Sequence, residues 1–546
     1  MVRRLIVIAL LLSGCGSPGA VTFTIHAPSA DLLNPMLDPR VTEFLLKAAD
    51  GALVGAVSPR DGMDSLPLGP LSQRTAPVDM TMSVLGGTDL LGMARIRDVQ
   101  VEPGIQNSYV AEVRKPFVFV GSTLPDEPHA SPPNHLHTSE VLDPSTSTDL
   151  APGLSMGAQA VKLPAGVSAA TATSDGRFLL AGHGGATQGL SIVDTGSALT
   201  VGEAPLSFQP WRVVAAARDT AVAVLDATGP DGAVLLFTDV AGLTSSAGAQ
   251  TPIKIVLRAE TPRNAAFSPD GQTLYVLSGD GTNLDPCGAA TRPTANVIRA
   301  FGLDGQAQAA WDLPSFGGDL AVDPASGTVV VSMPVGNQVG TIAAGTAAGP
   351  VSPQKLLDNV TCPSALHVTN GQVYVASAEE DPVNAPDTYQ IVRVPMAGGT
   401  STALFFPQPL YQHEINDSQP NDGKIGFTLR LKPKFFYAYE MAISPDASRV
   451  VLDTRTHYSE LNENFSLLAD LNLNCTTTVE VVEYGRYVLD TRNGTANYEL
   501  RSQIVTEAAQ EKTCTTCENV LVTIGFGCPT TVGDRPAGLA GVFATP

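Results

Sequence analysis

His135, Leu136 and His137 put two imidazoles on one side of an extended strand, with Asp126, Glu127 and His129 a few residues upstream. Neutral imidazoles joined by a carboxylate form a ligand set for Zn2+ or Cu2+. The same stretch holds Pro125, Pro128, Pro132 and Pro133, the composition of a solvated loop, and nothing local makes the donors converge. Asp280-Gly281-Thr282-Asn283-Leu284-Asp285 spaces oxygen donors in a way that suits Ca2+, but the distal bidentate Glu of an EF-hand loop is missing. Asp, Asn and Gly together are also ordinary turn chemistry. His135, His137, Asp280 and Asp285 therefore stand as weak metal candidates, and no cofactor is expected.

Gly153-Leu154-Ser155-Met156-Gly157 has the spacing of a nucleophile elbow. That chemistry needs a strand before the serine, a helix after it and an α/β sheet to hold the strained turn. Asp149-Leu150-Ala151-Pro152 precedes it, nothing helical follows, and the chain leaves no room for an α/β domain. Ser155 is not assigned as a nucleophile, and no catalytic residue is named. The two tryptophans, Trp211 and Trp311, are too few to suggest an aromatic sugar-binding platform.

The N-terminus carries a clearer signal. Arg3 and Arg4 precede an apolar run from Leu5 to Leu12, and Ser13-Gly14-Cys15 follows, the layout of a secretory signal. Eight residues make about 12 Å of helix against a hydrocarbon core of about 30 Å, too short to span it. Leu12-Ser13-Gly14-Cys15 resembles the lipobox of bacterial lipoproteins. The resemblance implies cleavage between Gly14 and Cys15, a diacylglyceryl thioether on Cys15 and acylation of its freed amine. Three acyl chains go beyond the two signals that stable anchoring needs. Residues 1–14 thus read as signal peptide and 15–20 as a lipidated tether. Gly16 is not the Asp-type retention residue, which by resemblance to known sorting rules favours the outer membrane.

The net charge of −21 becomes −23 once Arg3 and Arg4 leave with the signal. So acidic a surface repels nucleic acid and anionic headgroups, and both are excluded as general partners. Charged residues make up only 16 %, while Gly numbers 51 and Pro 42, which favours an all-β chain. Besides Cys15 the chain has Cys287, Cys362, Cys475, Cys514, Cys517 and Cys528, an even set suited to disulfides in an oxidising compartment. Cys514-Thr515-Thr516-Cys517 has zinc-like spacing, but export favours disulfides. Six cysteines allow 15 pairings. The reading offered is Cys287 with Cys362, which lie in neighbouring repeats, and the last four among themselves.

Residues 21–112 alternate in short runs, as in Val21-Thr22-Phe23-Thr24-Ile25 and Val78 to Val84, and predict a small immunoglobulin-like β-sandwich. From about residue 113 a repeat appears. Its clearest copy runs Asn264-Ala265-Ala266-Phe267-Ser268-Pro269-Asp270-Gly271 and then Leu274-Tyr275-Val276, a type I turn between strands. Asp175, Asp219, Asp270, Pro324, Asn370 and Asp446 mark the copies, spaced 44, 51, 54, 46 and 76 residues apart. Four-stranded propeller blades repeat at about 40–50 residues. The wide gap holds a polar insertion from Gln412 to Gly423, and Phe117 to Val120 supplies a strand of one further blade.

These residues resemble the bacterial YVTN/WD40-like repeats, in which an SPDG turn precedes an LYV strand. The resemblance implies an all-β, seven-bladed propeller over 113–500, with six or eight blades as alternatives. Residues 501–546 read as a cysteine-rich segment that either closes the ring, with strands at Tyr484–Leu489 and Asn519–Ile524, or forms an appendage. The expected function is a membrane-anchored envelope scaffold that binds another envelope protein or a ligand without catalysis. The alternative is a lactonase-like or redox enzyme, or a metal-dependent sensor, with its site in the central channel. Ala, Val and Ser dominate the expected channel positions around each turn, for example Ala265-Ala266, which weighs against that alternative.

Overall fold

Alternation of apolar and polar residues dictates the first unit, which ends at Pro116. The computed structural model describes residues 19–121, 135–511 and 542–544, apart from internal segments of which the longest are 141–160, 280–295, 378–387, 416–426 and 463–474. Along β1 (Gly19–His26), Val21, Phe23 and Ile25 are buried while Thr22 and Thr24 keep part of their surface. The other strands are β2 (Glu43–Ala48), β3 (Leu53–Val57), β4 (Ser65–Leu71), β5 (Arg74–Gly86), β6 (Asp89–Val101) and β7 (Gln106–Glu112).

They form two sheets, ordered β4-β1-β7 and β3-β2-β5-β6. Phe23, Phe44, Met82 and Ile96 meet in the single core between them. An immunoglobulin constant-type sandwich instead places strands 1, 2, 5 and 4 in one sheet and 3, 6 and 7 in the other. The immunoglobulin-like expectation is thus corrected to a two-sheet sandwich of different strand order, in which β1 and β7 run parallel. Alternation fixes which face of a strand is buried, but not which neighbour it pairs with.

The second unit spans 117–544 and is built from four-stranded antiparallel sheets. The first holds β8 (Phe117–Gly121), β9 (His135–Glu140) and β10 (Val161–Lys162). The second holds β11 (Gly166–Ala172), β12 (Phe178–Gly184), β13 (Gly189–Asp194) and β14 (Leu199–Pro205), and the third β15 (Arg212–Ala215), β16 (Val222–Asp226), β17 (Gly232–Phe237) and β18 (Ile253–Leu257). The fourth comprises β19 (Thr261–Phe267), β20 (Thr273–Gly279), β21 (Asn296–Gly302) and β22 (Ala307–Asp312). The fifth has β23 (Leu320–Val322), β24 (Val329–Met333), β25 (Gln338–Ile342) and β27 (Gln354–Asp358), while β26 (Gly349–Pro350) joins the fourth beside β22.

The sixth sheet has β28 (Pro363–Thr369), β29 (Gln372–Ser377), β30 (Thr388–Pro395) and β31 (Thr402–Pro407). A separate hairpin of β32 (Tyr411–Ile415) and β33 (Phe427–Leu431) occupies the expected insertion. The seventh sheet has β34 (Pro433–Ile443), β35 (Arg449–Asn462), β36 (Cys475–Asp490) and β37 (Thr495–Glu511).

A final strand, β38 (Val542–Ala544), pairs with β8 and so completes the first sheet. The inner strands then touch in a cycle: β11, β15, β19, β23, β28, β34, β38 and back to β11. Separate hydrophobic cores lie between consecutive sheets. Leu190 and Ile192 meet Val222 and Phe237, Leu236 meets Leu274, Ile298 meets Val331, Val330 meets Val375, and Tyr374 meets Leu452. Sheets packed face to face in a closed cycle, each core shared by two neighbours, define a β-propeller.

The sequence repeat falls on the turn after each inner strand. Ser268 N–H and Gly271 N–H donate to Thr273 and Ser268 carbonyls, and Gly271 takes a φ of +70°. Thr220 Oγ1 donates to the Gly271 carbonyl at 3.2 Å, tying the turns of the third and fourth sheets together. The propeller boundaries also move. β37 runs to Glu511 and the unit to Ala544, so closure belongs to Val542–Ala544 and not to Tyr484–Leu489, which lies inside β36. Asn519–Ile524 lies outside the described residues. No helix among those residues is long and apolar enough to cross a membrane.

Ending the chain after residue 541 removes three ladder pairs with β8. At about 1 kcal/mol for each net hydrogen bond, the unit is expected to lose about 3 kcal/mol. A urea midpoint unchanged from the full chain would rule out ring closure by β38.

Candidate functional site

The inner strands share a local departure from regular pairing. β11, β19, β28 and β34 each carry a residue that is extra relative to the partner strand: Ser168, Arg263, Ser364 and Tyr439, with a second, Lys434, near the start of β34. Such bulges re-aim a side chain and gather next to functional sites. Opposite the residue before each of the first four stands His183, Ser278, Ser377 or Thr454, every one of them buried. The fifth sheet keeps the pattern without a bulge, because Ser332 Oγ accepts from Asp319 N–H at 2.8 Å and Ser332 N–H donates to the Asp319 carbonyl.

Asp319 is the focus of this ring end. Its carboxylate accepts from Leu320 N–H at 2.8 Å, from Leu366 N–H at 2.7 Å and from the Asn264 amide. Those donors belong to the fifth, sixth and fourth sheets. Burial raises the carboxyl above its ordinary value, opposed by the charge of Arg212 and by the three donors. Arg212 opens β15 in the third sheet, two sheets away from Asp319. The backbone approaches closely here, since a Cβ on Gly318 would stand 2.6 Å from Pro334 Cγ.

Two further groups flank the cluster. Arg263 lies over the Phe316 ring, 4.2 Å from its centroid. Glu260 receives both Arg299 and, at 2.6 Å, the Ser278 hydroxyl. Burial pushes the Glu260 carboxyl up, but these two partners outweigh it and hold it below its usual value. Trp211 Nε1 donates to the Arg263 carbonyl at 3.0 Å, and Trp311 Nε1 to the Thr346 and Ala347 carbonyls. Both indoles thus serve internal bonds.

The residues singled out from sequence fall elsewhere. His135 and His137 lie within β9, paired to Lys162 and Val120, so the backbone there is strand and not loop. Asp280, Asp285, Ser155, Cys287, Cys514, Cys517 and Cys528 lie outside the described residues, as do Gly14 and Cys15. Cys475 opens β36, and Cys362 is disulfide-bonded. Among the described residues no group of three or more His, Cys, Asp or Glu is placed to hold a metal ion. Arg212, Arg263, Asn264 and Asp319 were missed. Their signal is positional: Arg212 and Arg263 each stand seven residues before a marker aspartate, Asp219 and Asp270.

No family model matches the chain, and no curated protein matches it. Among solved structures it is similar to a hydrazine synthase of Kuenenia stuttgartiensis, at 15 % identity over 61 % of this chain and 95 % of that one, with a TM-score of 0.37. It is also similar to a putative 6-phosphogluconolactonase of Bacteroides uniformis, at 12 % identity, 72 % and 99 % coverage and a TM-score of 0.39. The Cps50 (Swd1) β-propeller domain of Myceliophteria thermophila gives 10 %, 45 %, 75 % and 0.32 in the same order. Likenesses this distant carry no argument about function. The propeller assignment rests on the chain's own strand order and contacts.

Replacing Asp319 with Ala leaves two backbone N–H groups and the Asn264 amide without their acceptor. A loss of about 3–5 kcal/mol is expected in urea unfolding, against about 1–2 kcal/mol for Asp319→Asn. An Asp319→Ala chain within about 1 kcal/mol of wild type would remove the carboxylate from this role.

His367, in β28 opposite Tyr374, gives a pH dependence. Burial lowers its imidazole to about 4 from an ordinary 6.5, so the folded state keeps it neutral while the unfolded chain takes up a proton. Stability therefore falls as the pH drops from 6.5 to 4. The expected size is about 1–2 kcal/mol, less than the full shift implies because the residue is only part-buried. His367→Gln is expected to flatten that slope, and an unchanged slope would contradict the assignment.

Proposed function

We propose that this chain is a lipid-anchored envelope protein whose seven-bladed propeller serves as a non-catalytic binding scaffold. The observation that carries the reading is the engagement of Asp319. Between them its two oxygens take N–H donors from three sheets, so the carboxylate is committed to holding blades together. The seven sheets, counted with the closing strand β38, support the blade number. The lipobox-like Leu12-Ser13-Gly14-Cys15 supports the anchor, with the outer membrane as its site and another envelope protein as partner. The sandwich acts as a spacer between lipid and ring. The six remaining cysteines form disulfides, with Cys287 bound to Cys362.

Cys15→Ser is expected to abolish incorporation of radiolabelled fatty acid and to move the chain from the membrane pellet to the soluble fraction. Retention of the mutant in the pellet would sink the anchoring claim. Digestion of the same protein without reduction is expected to release a peptide linking Cys287 to Cys362. For the scaffold, chemical cross-linking of the full-length chain in its own envelope is expected to give one stoichiometric protein partner. A chain recovered alone and carrying Zn2+, Ca2+ or a small molecule would instead favour the enzyme or sensor.

A further inference from the structure

We propose that the sixth sheet carries a site for a small oxyanion, a carboxylate or a phosphate, on the face it turns to the seventh sheet. The Arg393 guanidinium and the Tyr374 hydroxyl hold the ligand, with the His367 imidazole beside them. The proposal rests on the binding-scaffold reading and deepens it by naming a ligand class.

The strand register brings the three residues together. His367 in β28 stands directly opposite Tyr374 in β29, and Tyr374 directly opposite Arg393 in β30. Residues opposite one another share a face of the sheet, with Cβ atoms about 4.5–5.5 Å apart. Tyr374 lies in the core shared with Leu452 of the seventh sheet, so that is the face all three present. Side chains stand roughly perpendicular to a sheet, and Tyr and Arg have a similar reach, so hydroxyl and guanidinium end at a similar height on neighbouring strands. The next row on this face, Ala365, Ala376 and Ile391, is wholly apolar and packed. Thr402, opposite Arg393 in β31, is exposed and leaves the polar row open at its outer end.

Two further observations point to a ligand. The equivalent row holds Ala266, Tyr275 and Ala300 in the fourth sheet and Val214, Ala223 and Leu236 in the third. The imidazole and the guanidinium thus occupy places that small or apolar side chains fill in those sheets. Tyr374 is 1 % exposed, yet its hydroxyl makes no hydrogen bond among the described residues. Arg393 is the one part-buried Lys or Arg among the described residues that makes no ion pair, hydrogen bond or ring contact. A buried phenol normally finds a partner, and a sheltered charge is costly unpaired. The chain has 53 Asp and Glu against 32 Lys and Arg, and still none of the described acids meets this guanidinium. Two neighbouring donors, one of them charged, suit one acceptor, and an oxyanion offers oxygens to both.

The test uses the purified full chain with Cys15→Ser, titrated calorimetrically at low ionic strength with inorganic phosphate and, separately, with succinate. One saturable site is expected, and whichever probe binds tighter identifies the oxyanion. Arg393→Gln is expected to weaken it by about tenfold or more, and Arg393→Lys by less, because charge remains but the fork is lost. Tyr374→Phe keeps the buried ring and removes only the hydroxyl, for an expected loss of about fivefold. Arg258→Gln, at an exposed position just beyond β18 in the third sheet, is expected to leave affinity unchanged. Circular dichroism and the urea midpoint confirm that each variant is folded. Should Arg393→Gln unfold, Arg393→Lys and Tyr374→Phe decide. Absence of saturable binding by either probe, or equal affinity in Arg393→Gln, overturns the proposal. Partner recovery from the envelope is measured apart. A partner recovered without oxyanion binding ends this proposal and leaves the scaffold reading standing.

Discussion

A buried carboxylate has to find donors, and at Asp319 it finds them in three different sheets. Leu320, Leu366 and Asn264 all donate to one side chain that is 9 % exposed, and Arg212 supplies charge from a fourth sheet. Apolar contacts between neighbouring sheets are tolerant of small rotations, because dispersion and burial are weakly directional. Hydrogen bonds to a buried charge are directional and expensive to leave unmade. The apolar cores therefore bring consecutive sheets together, and the Asp319 network sets their mutual angle where they converge on the axis.

The hydroxyls of Ser278, Ser332 and Ser364 extend the same logic around the ring. Ser278 binds Glu260, Ser332 holds the Asp319 backbone and Ser364 donates to the Ala376 carbonyl at 3.2 Å. Inner strands are squeezed against one another near the axis, so bulges recur in them, and small polar residues such as Ser364, with Ser278 and Ser332 on the strands beside them, stand in place of large apolar ones. The outer strands face fewer constraints and vary in length, from two residues in β10 to seventeen in β37.

Legibility in the sequence followed the range of the interaction. The Ser268-Pro269-Asp270-Gly271 turn was readable because its internal bonds span only six residues, including the Ser268 hydroxyl to Asp270 and Thr273 N–H to Ser268. Strand Phe117–Gly121 and the insertion near Gln412 were readable from alternation and spacing. Pairing was not. The sandwich order depends on which strands cross between sheets, and the closing strand lies more than 400 residues from β8, its partner. Asp319 and Asn264 are 55 residues apart, and no local pattern announces their meeting. The alanines at 265 and 266 were visible, but Arg263, two residues before Ala265, is the residue that the bulge turns aside.

The parallel pairing of β1 with β7 has a mechanical consequence. Seven residues of β1, Ala20 to His26, lie beside Gln106 to Glu112 in the same direction. Tension that enters at Gly19 and leaves beyond Glu112 therefore pulls the two strands along their lengths in opposite senses. Every bond of that ladder is then sheared at once, and none can open before the others as teeth of a zipper do. A domain tethered at its first strand and loaded through its last is, with this arrangement, a stiff link.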